Sequence, residues 1–340
     1  MDRDPKVPAS QILAQRLPAL VLRGRILRAV REWFTAAGFL EVETPTRVPA
    51  PGQEVHLDAF AAGAGRFLIT SPEYHMKRLV AAGAARIFQI TRAFRAEEQG
   101  PQHQPEFTII EWYRANEPLE TIADDCEALV RAAATAAGTF PLVPRRGPAG
   151  QGLRVEGGFE RTTVAALLAR HAGIDLAGDE SAAALAAKAR AAGVDLGSAT
   201  AYDDVFFQIF LDRVEPQIGR DRPTFVFDWP LPLAALARAK PRAGKAPVAE
   251  RFELYAGGLE LANAFGELTD AGEQRARFEQ ESRQRALRGK TVYPLDEKLL
   301  AALPLMPATS GVALGFDRLV MLATGAREIR DVIAFADDEI

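Results

Sequence analysis

The sequence predicts an α+β fold in which an antiparallel sheet is flanked by helices. Strand-like runs follow one another with short loops between them, and helix-like segments are gathered in blocks. The clearest example is 86–114, where two alternating strands enclose a polar loop. Because parallel strands need a long crossover between them, this order favours an antiparallel sheet over a doubly wound one.

Composition narrows the class of protein. The 340 residues are 48% hydrophobic and 25% charged, which is ordinary for a globular chain. The net charge of −4 gives no global basic surface for nucleic acid. A single cysteine, Cys126, is typical of a reducing cytoplasm, and four scattered histidines without a CxxC pair do not suggest a structural zinc site. We predict a cytoplasmic protein, since the charged start is no signal peptide and no apolar run reaches the roughly 18 residues of a membrane span.

Elements of the first half follow from periodicity and capping residues. Ile26, Val30 and Phe34 share one helical face, and Gly38 follows as a stop signal. Ser71 can cap a helix in which Pro72 takes the first turn. The predicted elements are helix 22–37, strand 39–44, which ends before Pro45, helix 71–82, the strand pair within 86–114 and helix 117–137.

The second half is predicted to begin with a Pro/Gly-rich connection. A helical insert then follows, because plausible N-caps and C-cap glycines alternate there. A basic segment rich in proline and glycine is predicted to be a mobile loop. In order, these elements are connection 140–158, insert 160–216, strand 223–230, basic loop 238–248, hairpin 250–265, helix 270–288 and a strand–helix unit at 311–325.

Charged residues occupy one face of the strand pair. With a period of two, Arg95 and Glu97 share a face of the first strand, and Phe107, Glu111 and Tyr113 share a face of the second. The pattern has two interpretations, a solvated face with surface ion pairs or a concave surface for a ligand with negative and positive parts. Surface pairs contribute only roughly 0–1 kcal/mol, which leaves the clustering unexplained.

A second acidic pair lies on the predicted hairpin, whose tight turn contains Gly257 and Gly258. Glu253 and Glu260 share a face in either possible register, opposite each other if the turn is at 256–257 and diagonal if it is at 257–258. Like charges across a ladder are unfavourable unless a cation bridges them. The pair therefore indicates a Mg²⁺ site, or glutamates that face solvent on an edge hairpin.

Two further segments are candidates for ligand contact. Gly311 and Gly315 allow the backbone to approach a ligand closely, and Arg318 lies one helical turn later, within reach of phosphate. Glu73 stands at a helix start. Its carboxylate either interacts favourably with the helix dipole or binds a substrate ammonium.

Three ordered motifs carry a resemblance. The strings FLEVETP, FRAEE…HQPEFTIIEWY and GVALGFDRL resemble the three motifs of class II aminoacyl-tRNA synthetases of the lysine/aspartate/asparagine subgroup. SPEYHMKRL and RFELYAGGLELANAFGELTD are similar to the lysine branch. The resemblance spans most of the chain. It implies the class II catalytic fold and a homodimer with Pro45 at its interface.

The layout is similar to that of a stand-alone paralogue family, the elongation factor P–lysine ligases. We expect one catalytic domain over 1–340, with no anticodon-binding domain. The resemblance implies an ATP-dependent, AMP-forming ligase that attaches lysine or (R)-β-lysine to a lysine of elongation factor P, with no tRNA partner. The alternatives are a truncated synthetase that charges a tRNA and a non-catalytic regulator that binds a metabolite. Retention of Arg95 and Arg318 disfavours the regulator.

The resemblance also implies roles for individual residues. Arg95 and Arg318 are the expected catalytic cations, and Glu253 and Glu260 the expected Mg²⁺ ligands. The expected ATP-binding residues are Arg95, Ala96, Glu97, His103, Gln104, Phe107, Glu253, Leu254, Gly315 and Arg318. The expected substrate-binding residues are Ser71, Pro72, Glu73, Glu111, Tyr113, Glu260, Asn263, Glu267 and Ala313.

Three positions depart from the usual residues of these families. Ala96 and Gln104 each replace a common asparagine, and both bear on contacts to ATP. Ala313 stands where lysyl-tRNA synthetases usually have glycine. The elongation factor P–lysine ligases also have alanine at this position. Its methyl group is expected to reshape the amino-acid pocket.

Overall fold

A computed structural model describes residues 9–138 and 153–340, so most of the predicted connection 140–158 lies outside the described residues. The α-helices in those ranges are α1 Ala9–Ala36, α2 Glu73–Ala81, α3 Leu119–Ala137, α4 Val164–Ala172, α5 Ala182–Ala191, α6 Tyr202–Ile209, α7 Ala271–Leu287, α8 Glu297–Ala302 and α9 Phe316–Thr324. The strands are β1 Leu40–Glu41, β2 Arg47–Val48, β3 Phe67–Leu68, β4 Arg86–Phe94, β5 Glu106–Ala115, β6 Glu160–Thr163, β7 Thr224–Pro230, β8 Ala239–Arg242, β9 Lys245–Ala256, β10 Leu259–Gly266 and β11 Thr309–Gly315.

The predicted antiparallel sheet is confirmed. Its strands run in the order β1-β4-β5-β11-β10-β9-β7-β6, and β8 pairs with β9. The central pairs are antiparallel, whereas the two outermost pairs, β1 with β4 and β6 with β7, are parallel. β5 and β11 are neighbours in this sheet although they are distant in sequence, so the central strands bring segments from both halves of the chain together.

One face of the sheet is covered by helices α1, α3 and α9. Ile110, Trp112 and Phe88 point to this side and are fully or almost fully buried with Phe34 of α1. The rings of Phe34 and Phe88 stack with centroids 4.2 Å apart. The alternation predicted for β5 therefore holds, since its apolar set lies in this core while Glu111 faces the opposite side.

The opposite face carries two separate apolar clusters. One gathers residues such as Tyr74, Ile87 and Phe278 around α2, α7 and α8, next to β4 and β5. The other gathers Trp229 and Phe206 where α4–α6 pack on β7 and β9. Between the two clusters the middle strands β5, β11 and β10 stay open, which leaves room for a cavity.

Several predicted boundaries differ from the structure. The insert predicted as helical over 160–216 begins with β6, which pairs with β7 at the sheet edge. Segment 238–248 is not a loop but a hairpin of β8 with the start of β9, because backbone pairing to β9 satisfies its amides. Helix α1 begins at Ala9, well before the predicted start. None of the described helices is long and apolar enough to cross a membrane.

Two strands are shorter than predicted. The run 39–44 forms only the short strand β1, in which Leu40 is 59% exposed instead of buried. Strand β4 ends at Phe94, so Arg95 and Glu97 lie in the following loop and not on a strand face. The backbone amide of Arg95 still donates to the carbonyl of Pro105 at 2.8 Å, which keeps Arg95 beside the sheet.

Arg285 of α7 fixes the loop after β2. Its side chain is fully buried and donates to the carbonyls of Glu54 and Leu57, both at 2.8 Å, and to Asp58 Oδ1. The guanidinium also lies 4.4 Å from the ring centroid of Tyr293. A planar group with five donors suits a loop that presents several carbonyls at once.

We expect Arg285→Met to lower the free energy of unfolding by about 3 kcal/mol or more, because buried carbonyls and Asp58 lose their donor. Urea unfolding followed by circular dichroism measures the change. The control is Arg283→Met on the same helix, an exposed position where we expect a change within about 0.5 kcal/mol. Equal stability of the two variants would contradict the role given to Arg285.

Candidate active site

A cavity of about 390 Å³ lies over the open middle strands. Most of the predicted site residues border it, although they come from segments that are far apart in the sequence. Those at its border are Ser71, Glu73, Arg95, His103, Gln104, Phe107, Glu111, Glu260, Asn263, Ala313, Gly315 and Arg318.

The register of the sheet places the floor of this cavity. Ala313 pairs with Glu111 on one side and with Asn263 on the other, and Asn263 pairs with Glu253. Directly paired residues point to the same face of a sheet. A row of polar residues with one methyl group in its middle therefore crosses four strands on the open face.

Arg95 stands at one side of the cavity. Its guanidinium lies 5.0 Å from the centroid of the Phe107 ring, and Nη1 lies 3.2 Å from Glu98 Oε1. Its Nε atom is buried and has no hydrogen-bond partner in the described part of the chain. A buried donor without an acceptor is rare in folded proteins, so Arg95 is suited to an anionic ligand.

Arg318 and His103 meet at another side. Arg318 Nη2 lies 2.6 Å from His103 Nε2, and Nη1 donates to the carbonyl of Glu260 at 2.6 Å. Burial lowers the pKa of His103 and the adjacent guanidinium lowers it further. His103 is therefore neutral near pH 7 and accepts from Arg318, which leaves a cationic site that can take phosphate oxygens.

Acidic groups line the remaining part. Ser71 Oγ donates to Glu111 Oε1 at 2.5 Å, and the Tyr113 hydroxyl donates to Glu111 Oε2 at 3.2 Å. Burial, followed by the nearby charge of Glu73, raises the pKa of Glu111 to about 8. The carboxyl group is therefore largely protonated near pH 7 and would gain from a bound cation.

Lys77 is a residue that the sequence analysis missed. Its ammonium Nζ lies 2.5 Å from Glu73 Oε1 and 2.6 Å from Glu267 Oε2, and its side chain is 1% exposed. Burial by itself would lower the pKa of Lys77, but Glu267 and Glu73 raise it above its ordinary value. The spacing of Glu73 and Lys77, one helical turn apart, was the available signal, whereas only the tertiary structure adds Glu267.

The hairpin turns at Gly257 and Gly258, but a bulge follows Glu260, so that Glu260 pairs with Tyr255 and Glu253 with Asn263. Glu253 is buried and accepts from Arg251 and from the Tyr255 hydroxyl. Burial raises its pKa, and Glu260 raises it further.

Glu253 and Glu260 could hold only a cation that takes its remaining ligands from other groups. The described residues contain no group of three or more His, Cys, Asp or Glu side chains placed to hold a metal. Mg²⁺ commonly binds one or two carboxylates together with substrate phosphates, and like charges on Glu253 and Glu260 favour such an ion.

The other predicted residues lie outside the cavity border. The Glu97 side chain is 78% exposed and faces Lys290 at 3.8 Å, and Leu254 belongs to the core on the opposite face of the sheet. Tyr113 and Glu267 are buried behind the cavity. The residues concerned are Pro72, Ala96, Glu97, Tyr113, Glu253, Leu254 and Glu267.

Gly311 makes room for side chains behind the cavity and does not itself border the cavity. A Cβ atom at Gly311 would lie 2.3 Å from Tyr113 Cε1 and 2.5 Å from Glu267 Oε1. The glycine thus lets the phenol and the carboxylate pack against bare backbone. Gly315, in contrast, borders the cavity as predicted.

Comparison with known proteins agrees with these motifs. Residues 14–339 match the sequence model of the class II tRNA synthetases (D, K and N). A protein of Erwinia tasmaniensis is 43% identical over 94% of this chain and 95% of its own length. A protein of Klebsiella pneumoniae is 42% identical over 95% of this chain and 96% of its own length. Both relatives are named elongation factor P–(R)-β-lysine ligase. The chain therefore belongs to the class II tRNA synthetase family of the aspartate, lysine and asparagine enzymes.

Proposed function

We propose that the protein is a ligase that uses ATP to activate (R)-β-lysine or lysine as an aminoacyl-adenylate and transfers it to a lysine ε-amine of elongation factor P. The observation that carries this proposal is one cavity bordered by Arg95, whose buried Nε has no partner among the described residues, by Arg318 and by the acidic pair Glu73 and Glu111. The names of the relatives support the same substrates.

In the first step the amino-acid carboxylate attacks the α-phosphorus of ATP. A bond forms between a carboxylate oxygen and phosphorus, and the bond to the pyrophosphate oxygen breaks. No protein nucleophile is needed, so the protein contributes positioning and charge neutralisation. Arg95 binds the α-phosphate and the carboxylate, and the Phe107 ring beside it stacks on the adenine.

The positions of the other residues around the cavity suggest the remaining nucleotide contacts. Arg318, with His103 and Gln104, binds the β- and γ-phosphates, which departing pyrophosphate retains. Glu97 and Ala96, in the loop after β4, read the adenine edge. Exposed Glu97 must turn inwards for this contact. Backbone groups at Leu254 and Gly315 complete the nucleotide site.

Glu253 and Glu260 are the residues that would hold Mg²⁺. Such an ion neutralises phosphate charge when bound. Glu260 borders the cavity and is 44% exposed, and its only ion pair among the described residues is with Arg318 at 3.9 Å, so its carboxylate is accessible for coordination. Glu253 would exchange its bond from Arg251 or from Tyr255 for the ion.

The acidic part of the cavity binds the amine groups of the substrate. Ser71, Glu73 and Glu111 are at the border, with Asn263 and Ala313 on the floor. Tyr113 orients Glu111 through its hydroxyl, and Glu267 acts through Lys77. Pro72 begins the helix that carries Glu73. A substrate with two ammonium groups balances two or more carboxylates, whereas an acidic amino acid would be repelled.

In the second step the ε-amine of the acceptor lysine attacks the adenylate carbonyl. A carbon–nitrogen bond forms, the bond to AMP breaks, and the amine proton is released. We propose that this occurs in the cytoplasm in a homodimer of single catalytic domains. The exposed Leu40, on the segment that ends at Pro45, supports a partner contact there.

The direct test offers the purified protein ATP, each lysine isomer and either elongation factor P or total tRNA. We expect elongation factor P to gain the mass of one lysine residue by mass spectrometry, and tRNA to stay uncharged. Charging of tRNA without modification of the protein would overturn the proposal in favour of a truncated synthetase.

Arg95→Ala is expected to lower the rate of ATP–pyrophosphate exchange by about 100-fold or more, because the charge on the α-phosphate loses its neutralising cation. Arg92→Ala is a matched control, since Arg92 lies three positions earlier, on β4, and its side chain is 50% exposed and 3.5 Å from the Glu106 carboxylate. Near-normal exchange in the Arg95 variant would rule out its assigned role.

The KM for the diamine amino acid should depend on pH through Glu111. With its pKa raised to about 8, this group is protonated at pH 6, and an ammonium ligand binds only after the proton leaves. We expect the KM to fall by up to about tenfold per pH unit between pH 6 and 8 and then to level off. Exchange kinetics across this range measure it, and Glu111→Gln should abolish the slope. A flat wild-type profile would contradict the assignment.

A further inference from the structure

Glu54 has a carboxylate at the cavity that no role above explains. It lies in the loop after β2 and borders the cavity with Arg95 and Glu73. Its Oε2 atom is buried and finds no hydrogen-bond partner in residues 9–138 and 153–340. Because an unpartnered buried carboxylate oxygen is costly, the arrangement needs an explanation.

The backbone that carries Glu54 is fixed in place. Arg285 donates to the carbonyl of Glu54 at 2.8 Å, and Gln53 Nε2 donates to the carbonyl of Pro294 at 3.0 Å. A Cβ atom added to Gly52 would lie 2.5 Å from Glu54 Oε2, so the carboxylate rests against bare backbone. These contacts hold the group at the cavity without neutralising its charge, as expected for a preorganised ligand contact.

The charged surroundings place Glu54 between Arg95 and Glu73. Burial raises the pKa of Glu54 and the Glu73 charge adds to it, whereas the backbone amides of Glu54 and Gln53 and the charge of Arg95 act in the opposite direction. The charge of Glu73 also raises the pKa of Glu111, whose other neighbours are Ser71, Tyr113 and Glu267. Ser71 and Tyr113 donate to the Glu111 carboxyl group, whereas Glu54 reaches the cavity from the loop after β2, so different segments hold the two acids at its border.

We propose that Glu54 binds the ammonium group nearest the carboxylate of the amino-acid substrate. This inference rests on the proposed function and adds a specificity-determining residue to it. Arg95 holds the carboxylate, so an amine one or two carbons away lies on the side of Glu54. The distal amine then lies on the side of Glu111. The substrate class is an amino acid with one amine close to its carboxylate and a second at the far end.

The test compares Glu54→Gln with the wild type in ATP–pyrophosphate exchange. Loss of one charged hydrogen bond should raise the KM for lysine and for (R)-β-lysine about 10- to 100-fold, with the KM for ATP within about twofold. Inhibition by 6-aminohexanoate, which has a carboxylate and a distal amine only, should change by less than about twofold. The melting temperature should stay close to that of the wild type, since Glu54 Oε2 has no hydrogen-bond partner among the described residues.

Glu281→Gln is the matched control. Glu281 is close enough to Glu54 that the charge of Glu54 adds to the effect of burial in raising the pKa of Glu281, yet Glu281 does not border the cavity. We expect amino-acid KM values within about twofold of wild type. Equal losses in the two variants would indicate a general charge effect and overturn the proposal.

Other results are equally decisive. A wild-type KM for both lysine isomers in Glu54→Gln, or an equal loss of 6-aminohexanoate binding, would overturn the inference alone. Absence of exchange by the wild type with every lysine isomer would overturn the proposed function and this inference with it. If Glu54→Gln fails to fold, Glu54→Asp decides, because its shorter carboxylate should raise the amino-acid KM about fivefold, and an unchanged value would refute the contact.

Discussion

The buried contact of Lys77 with Glu73 and Glu267 is the interaction on which the site depends. Helix α2 supplies the ammonium and one carboxylate, and the residue after β10 supplies the other. A lysine buried alone would lose its charge, but two carboxylates within 2.6 Å keep it protonated. The contact fixes the helix on the open face of the sheet. The positive charge of Lys77 also reduces the repulsion among the acidic side chains. It also leaves Glu111 and Glu54 without a cation of their own.

Sheet register then decides which groups the cavity receives. Glu111, Ala313 and Asn263 lie side by side because β5, β11 and β10 are neighbours, although Glu111 precedes the other two residues by more than 150 positions in the sequence. A shift of one residue in any strand would turn its polar group into the core beneath. Gly311 keeps the register compatible with the side chains above it, since its missing methyl group is the space used by Tyr113 and Glu267.

Charged groups around the cavity are unequally satisfied. Arg285 and Lys77 have carbonyl or carboxylate partners and fix the architecture, whereas Arg95 Nε and Glu54 Oε2 have no hydrogen-bond partner in the part of the chain that the structure describes. A binding site that keeps unpaired buried charges gives up stability for ligand affinity. The same division explains why the scaffold helices pack closely on one face while the middle of the other face stays open.

Local sequence pattern determined the α+β class, the alternation of β5, the Gly257–Gly258 turn and the motifs that place this chain in its family, because periodicity, capping and turn chemistry act over few residues. It failed for strand β6, whose partner β7 is remote in the sequence, and for the 238–248 hairpin, where proline and glycine favoured a loop although the pairing is local. Most predicted site residues meet in one cavity, but Glu97 and Glu267 do not border it. Lys77 and Glu54 became visible only in three dimensions, since a buried charge acquires meaning from neighbours that the chain brings from distant segments.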